Sequence, residues 1–192
     1  MRKGYRQSQA FFESRYREAS DPWQFASSAY ELNRYHATLA ALSRARYRRA
    51  YEPGCSVGVL TSALASRCER VVACDISPTA VRQAQERCAA EPNVSIQVQD
   101  VGETLPSGRF DLIVFSELGY YFSINKLRTL ARDLDALLEK DGELIAVHWL
   151  GLSGDHVLHG DSVHDVLSAS LSLEPLSHSR HSGFRIDSWR CP

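Results

Sequence analysis

The chain has 192 residues, 44% hydrophobic and 23% charged, and its 22 Lys and Arg against 23 Asp and Glu leave a net charge of −1. That is the balance of one ordinary globular domain with a substantial core, and no low-complexity stretch marks a second one. Near-neutrality gives no general attraction to nucleic acid or to an anionic membrane, Arg44, Arg46, Arg48 and Arg49 forming only a small local basic run.

No run of about 18 apolar residues occurs, and the start Met1-Arg2-Lys3-Gly4-Tyr5 leads into Gln, Ser and Glu rather than an apolar secretory core. A soluble, unexported protein is expected. Cys55, Cys68, Cys74, Cys88 and Cys191 form an odd set without CxxC spacing, so neither a zinc site nor a disulfide framework is suggested. Reduced thiols in a cytoplasm are the simplest reading.

The first forty-odd residues read as helices broken at Asp21-Pro22, with Leu32, Tyr35, Leu39 and Leu42 on one face. They form a helical cap, residues 1–45, before the first strand. A strand around Ala50 to Glu52 then meets a Gly/Ser turn and a helix carrying Leu60 and Leu64. Val71 to Asp75 is a β-branched run ending in an acid, after which Ser77-Pro78 reads as an N-cap with proline at the first helical position, and Ala80, Ala84 and Cys88 recur at a spacing of four. A third strand falls at Val94 to Val98. Asp111 to Phe115 gives a fourth, followed by Leu127, Leu130, Leu134 and Leu137 at helical spacing, and Glu143 to His148 gives a fifth after a turn at Asp141-Gly142.

A helix is suggested by Val163, Val166 and Leu167. Ser170 to Pro175 and Phe184 to Arg190 then read as a terminal antiparallel hairpin joined by Ser177 to Gly183. Apolar strands alternating with helices imply crossovers in a parallel sheet buried on both faces. The expected fold is therefore α/β, doubly wound: a single domain over 1–192 with a mostly parallel, seven-stranded sheet finished by the hairpin.

Glu52-Pro53-Gly54-Cys55-Ser56-Val57-Gly58 lies between a strand and a helix. Gly54 and Gly58 let the backbone turn sharply and approach a ligand, and the N–H groups of the following helix favour an anionic or polar group. Asp75 falls 21 residues after Gly54, at the end of the next strand, where a carboxylate can accept hydrogen bonds from the two ribose hydroxyls of an adenosyl ligand. A tight structural turn beside a strand-end acid is the alternative.

With Glu52 to Gly58, Asp75, Gln99-Asp100-Val101 and Phe110-Asp111-Leu112-Ile113-Val114 in order, the chain resembles a class I S-adenosylmethionine (SAM) dependent methyltransferase, with a Rossmann-like fold. Within that superfamily, Glu52-Pro53-Gly54-Cys55, Asp21-Pro22-Trp23, Tyr30-Glu31 and Ser116-Glu117-Leu118-Gly119-Tyr120-Tyr121 resemble the nodulation protein S (NodS)-like group, which includes N-methyltransferases acting on amino sugars. Ser56 departs from the pattern, standing where the superfamily loop has its middle glycine.

The resemblance implies cofactor contacts at Glu52, Gly54, Cys55, Ser56 and Gly58, at Asp75 and Ile76, at Asp100 and Val101, and at Ser116. Asp75 would take the ribose, Asp100 the adenine amino group, with the Val101 N–H near a ring nitrogen. Glu52 would organise the loop or bind the methionyl amine through water. From the cap, Arg34 suits the carboxylate because a guanidinium binds it bidentately, and Trp23 and Tyr30 could close over the cofactor or simply pack.

Methyl transfer is an in-line displacement from an activated donor, so alignment and exclusion of water matter most, although an amine must first lose its proton. Glu117 and His148 end the fourth and fifth strands, where the site of an open α/β sheet lies. Either could orient the amine or take its proton. Equally, Glu117 could cap a turn and His148 could be a hydrogen-bonded core histidine. Tyr120 and Tyr121 line the acceptor pocket or pack beside it.

His148, His156, His159 and His164 fall within seventeen residues that also hold Asp155 and Asp161, with Asp165 directly after them. Without HExxH, and with Gly151, Gly154 and Gly160 reading as loop, a polar acceptor-binding loop or a solvated surface is expected rather than a metal site. The expected function is methyl transfer from SAM to a small-molecule amine or amino sugar nitrogen. The competing readings are O-methylation, SAM binding without catalysis, and a dinucleotide oxidoreductase, which the absence of GxGxxG disfavours.

Overall fold

The computed structural model describes residues 8–192. The segment Met1 to Tyr5 and the first residues of the expected cap lie outside them. The chain divides into two compact units, Ser8–Pro106 and Ser107–Pro192.

The first unit begins with helices α1 (Gln9–Glu18) and α2 (Ala29–Ala41). Between them Asp21 accepts the N–H groups of Phe25 and Ala26 on its two carboxylate oxygens, each at 2.8 Å, which makes the break at Asp21-Pro22 an ordered turn. There follow β1 (Tyr47–Pro53), α3 (Val59–Ala65), β2 (Cys68–Asp75), α4 (Pro78–Arg87) and β3 (Val94–Val98). The strands run parallel in the order β3-β2-β1. Ser77 caps α4 by accepting the Ala80 N–H at 3.1 Å, with Pro78 in the first turn, as the sequence predicts. Val81, Ala84 and Cys88 pack against Ala73, Ile96 and Cys55 on the sheet, while Ala80, first of the set spaced by four, is buried against Tyr16 and Val57.

The second unit contains β4 (Phe110–Ser116), a 3-10 turn at Gly119–Tyr121, α5 (Ile124–Leu137), β5 (Leu138–Trp149), α6 (Gly160–Ser170), β6 (Glu174–Arg180) and β7 (Phe184–Arg190). β4 pairs parallel with β5, β5 antiparallel with β7, and β7 antiparallel with β6. The apolar positions of α5 that recur at 3,4,3 spacing include Leu127, Leu130 and Leu134, all buried.

Two boundaries differ from expectation. Asp141-Gly142 does not precede the fifth strand but lies inside it: Asp141 adopts φ 61°, and the register shifts between Phe110 and Leu112, so the turn-forming pair makes an irregularity in one long strand. The first arm of the hairpin is Glu174–Arg180 rather than 170–175. Ser170 closes α6, and the polar stretch placed in the connection forms the strand, because β6 lies at the sheet edge and is mostly exposed. An edge strand has little apolar alternation to reveal it.

Candidate functional site

In the first unit the site grows from the end of β1. Three residues of the following loop have left-handed backbones, Gly54 (φ 74°), Ser56 (φ 51°) and Gly58 (φ 78°). The N–H groups of Gly54 and Cys55 both donate to the Cys74 carbonyl, at 2.7 and 2.9 Å, so the loop is clamped to the end of β2. Asp75 completes the clamp, accepting the Ser56 N–H on Oδ2 and the Ser77 N–H on Oδ1, each at 2.9 Å.

Gly58 also has a packing reason to be glycine. A Cβ there would stand 2.9 Å from the Ala84 Cα, so the glycine lets α4 come close to the loop. Ser56 tolerates its left-handed geometry with a partner for its hydroxyl, since the Tyr16 phenol donates to Ser56 Oγ at 2.6 Å.

Two enclosed acids flank this loop. Burial pushes the Glu52 carboxyl up to about 8, against the hydrogen bond from Thr61 Oγ1 at 2.6 Å, with the nearby Asp75 charge adding to the rise. Burial also raises Asp75, to about 6, against its backbone hydrogen bonds. The Thr61 bond ties Glu52 to α3, across the loop that separates them. Cys55 is buried, and burial pushes its thiol well up, which makes it a packing residue of the loop. Asp100 accepts the Gly102 N–H at 2.9 Å and so shapes the turn after β3, where Val101 is buried.

The cap meets this loop through residues that the sequence reading overlooked. From α1, Gln9 donates to the Ile76 carbonyl at 2.9 Å, and Glu13 accepts from Ser77 Oγ at 2.7 Å, Thr79 Oγ1 at 2.8 Å and Thr79 N at 3.1 Å. Burial alone would raise Glu13, but these donors and Arg17 bring it down to about 2. Gln9, Glu13 and Tyr16 are spaced 4 and 3 apart, one polar helical face, and that spacing was the available signal.

Trp23 is brought to the loop as well, packing with Tyr16, Phe25, Val57 and Ala80. Arg34 is buried in an ion pair with Glu31 one turn away, its guanidinium over the rings of Phe25 and Tyr35 at 5.8 and 5.7 Å. Tyr30 is half-buried on α2.

In the second unit, Ser116 ends β4 and Glu117 turns the chain with φ 55°. Its carboxylate accepts the Trp149 N–H at 2.6 Å and the Tyr120 hydroxyl at 2.7 Å. Tyr120 stacks on His156 with centroids 3.7 Å apart, Tyr121 stands edge-on to Tyr120 at 5.0 Å, and the Tyr120 carbonyl accepts the Val157 and Leu158 N–H groups.

His148 is not placed to act as an acceptor base. It is fully buried, with Nε2 accepting the Gly119 N–H at 3.0 Å and Nδ1 3.2 Å from His164 Nε2. Of the other histidines, His156 stays in the connection between β5 and α6, while His164 lies inside α6, bonded to Asp187, and His159 caps that helix. Among the described residues no group of three or more His, Cys, Asp or Glu could hold a metal ion.

A mostly parallel sheet with its last strands antiparallel, a left-handed loop after β1 and an acid ending β2 define the fold class of the Rossmann-like class I methyltransferases. Solved structures share it. The N-methyltransferase NodS from Bradyrhizobium japonicum WM9, in complex with S-adenosyl-l-homocysteine, superposes with a TM-score of 0.86 at 23% identity, over 97% of this chain and 100% of that one. A candidate methyltransferase of Pseudomonas syringae gives 0.72 at 38% identity, over 85% and 99%.

The model of the Nodulation protein S (NodS) family matches residues 8–173, and the chain belongs to that family. Nodulation protein S of Rhizobium tropici is 33% identical over 130 residues, which are 66% of this chain and 54% of that protein. The chain thus spans little more than half the length of that relative.

Proposed function

We propose that the chain transfers a methyl group from SAM to a nitrogen of a small-molecule amine or amino sugar. The observation that carries the reading is the pair of enclosed acids, Glu52 and Asp75, on either side of the glycine-bent loop, both pushed up by burial, with the Asp75 charge adding to the rise at Glu52. Such a pair favours a ligand that brings hydroxyl or N–H donors together with positive charge. SAM has this chemistry, with its ribose diol, its ammonium and its sulfonium.

Asp75 is the ribose group: a carboxylate offers about four acceptor sites, and backbone N–H groups hold it in place without exhausting them. Glu52 sets the loop through Thr61, Asp100 and Val101 serve the adenine end, and Ile76 and Ser116 complete the cofactor contacts. Trp23, Tyr30 and Arg34 serve from the cap. When bound, SAM supplies an electrophilic methyl group. On the acceptor side the chain has to orient the amine and relieve it of its proton, and Glu117 suits this because two donors fix its carboxylate, with Tyr120 and Tyr121 as pocket walls. The five free thiols, four of them buried, support action in a reducing cytoplasm.

Calorimetry tests the cofactor reading. S-adenosylhomocysteine should bind and NAD should not bind comparably. Asp75→Ala should weaken the former about 10- to 100-fold through lost charge-assisted hydrogen bonds. Wild-type affinity in that variant removes the ribose assignment.

A further inference from the structure

Gly119 stands so close to the rest of its unit that a Cβ there would lie 2.3 Å from Val163 Cγ1 of α6 and 2.9 Å from His148 Nε2. The close approach lets its N–H donate to His148 Nε2, and the direction of that bond fixes everything behind it. A backbone N–H only donates, so His148 Nε2 carries a lone pair and the proton of the neutral ring sits on Nδ1. Nδ1–H then donates to His164 Nε2 at 3.2 Å. His164 in turn carries its proton on Nδ1, which donates to Asp187 Oδ2 at 2.9 Å.

Both imidazoles are fully enclosed and Asp187 nearly so. Asp187 is also held by Arg185 Nη2 at 2.8 Å and by His178 Nδ1 at 2.5 Å, His178 standing opposite it on β6. The Phe115 and Tyr120 rings lie against His148, at 5.5 and 5.4 Å, and the charges of Arg185 and Asp161 act on His164.

We propose that Asp187 and His164 hold His148 in its Nδ1–H tautomer, and that His148 is a positioning residue which fixes the turn bearing Glu117. The same two stretches are tied twice more, because the Glu117 carboxylate is shared between Trp149 N–H, the residue after His148, and the hydroxyl of Tyr120, the residue after Gly119. Glu117 keeps φ 55°, a backbone costly for a residue with a Cβ, and such strain persists only where surrounding contacts over-determine it. A proton on His148 Nε2 would set one donor against another at Gly119 and release the turn. The consequence for methyl transfer rests on the reading of Glu117 given above; the tautomer does not.

Long-range proton–nitrogen correlation spectra of the nitrogen-15-labelled 192-residue chain test this directly. In the wild type at about pH 8, Nε2 of both His148 and His164 should be unprotonated and Nδ1 of both protonated. An Nε2–H signal from His148 overturns the proposal without any variant having to fold. Amide exchange gives the second arm. His148→Gln can offer an oxygen near the Nε2 position, whereas His148→Asn is too short, so Gly119 and Trp149 should exchange about tenfold faster in the Asn variant and near the wild-type rate in the Gln variant.

Equal exchange in the two variants overturns the positioning role. Asp187→Asn, which keeps size but removes charge, should give a mixture of His164 tautomers, and a single unchanged tautomer there overturns the part assigned to Asp187. Failure to bind S-adenosylhomocysteine would instead remove the cofactor reading and leave the tautomers standing.

Discussion

Glu52 makes its own stability dependence on pH. Its carboxyl rises from the ordinary 4.5 to about 8 on folding, chiefly by burial, so the folded chain holds a proton that the unfolded chain has lost between those values. The sign follows: stability falls as pH rises from about 4.5 to about 8, and Asp75 acts in the same sense between 3.8 and about 6. Glu52→Gln keeps an acceptor for Thr61 Oγ1 and has no proton to lose. In urea unfolding, the Gln variant should gain stability relative to wild type as pH is raised through that window, and a difference that stays constant with pH contradicts the burial argument. Gly119 gives a steric prediction at the same scale. Gly119→Ala drives a methyl into Val163 and should destabilise the protein by about 1–3 kcal/mol, read as a lower thermal midpoint.

At the scale of elements, α1 is latched to the start of α4 by Glu13 and to the loop after β1 by Tyr16. Glu13→Ala should leave Ser77 and Thr79 without their acceptor and speed amide exchange over residues 9–18, while S-adenosylhomocysteine should slow exchange through α1 and α2 in the wild type. Exchange unmoved by both variant and ligand would reduce α1 to packing. Glu13 lies well below its ordinary 4.5, so its contribution is present above that value and is lost as pH falls toward about 2.

The core strands were legible because β4 and most of β5 are buried on both faces and read as apolar runs, and α4 and α5 because their apolar spacing is the spacing of their buried faces. β6 was not, since an exposed edge strand has no face to bury. The His148, His164 and Asp187 chain was hidden for a different reason. It joins a strand, a helix and another strand, and its only trace in sequence is a polar residue set among apolar ones, as in Leu144-Ile145-Ala146-Val147-His148.

For the molecule as a whole, the division of labour between units makes the chemistry separable by mutation. The acids and loop assigned to SAM belong to the first unit, and Glu117, Tyr120 and Tyr121 to the second. An amine acceptor arrives mostly protonated and cannot attack until that proton leaves, so a carboxylate held by Trp149 N–H and Tyr120 O–H has work to do that SAM binding does not need. Glu117→Gln keeps the shape, and its amide oxygen can still accept one of the two bonds. Turnover of whichever amine proves active should fall by about 10²-fold, with the affinity for S-adenosylhomocysteine nearly unchanged and the acidic limb of the pH–rate profile altered. A variant that keeps wild-type turnover and profile would leave alignment and exclusion of water as sufficient. Mass spectrometry of the product decides the remaining choice, because the geometry that aligns a nitrogen would align a hydroxyl equally well: a new methyl on oxygen would overturn the nitrogen assignment and leave the cofactor site intact.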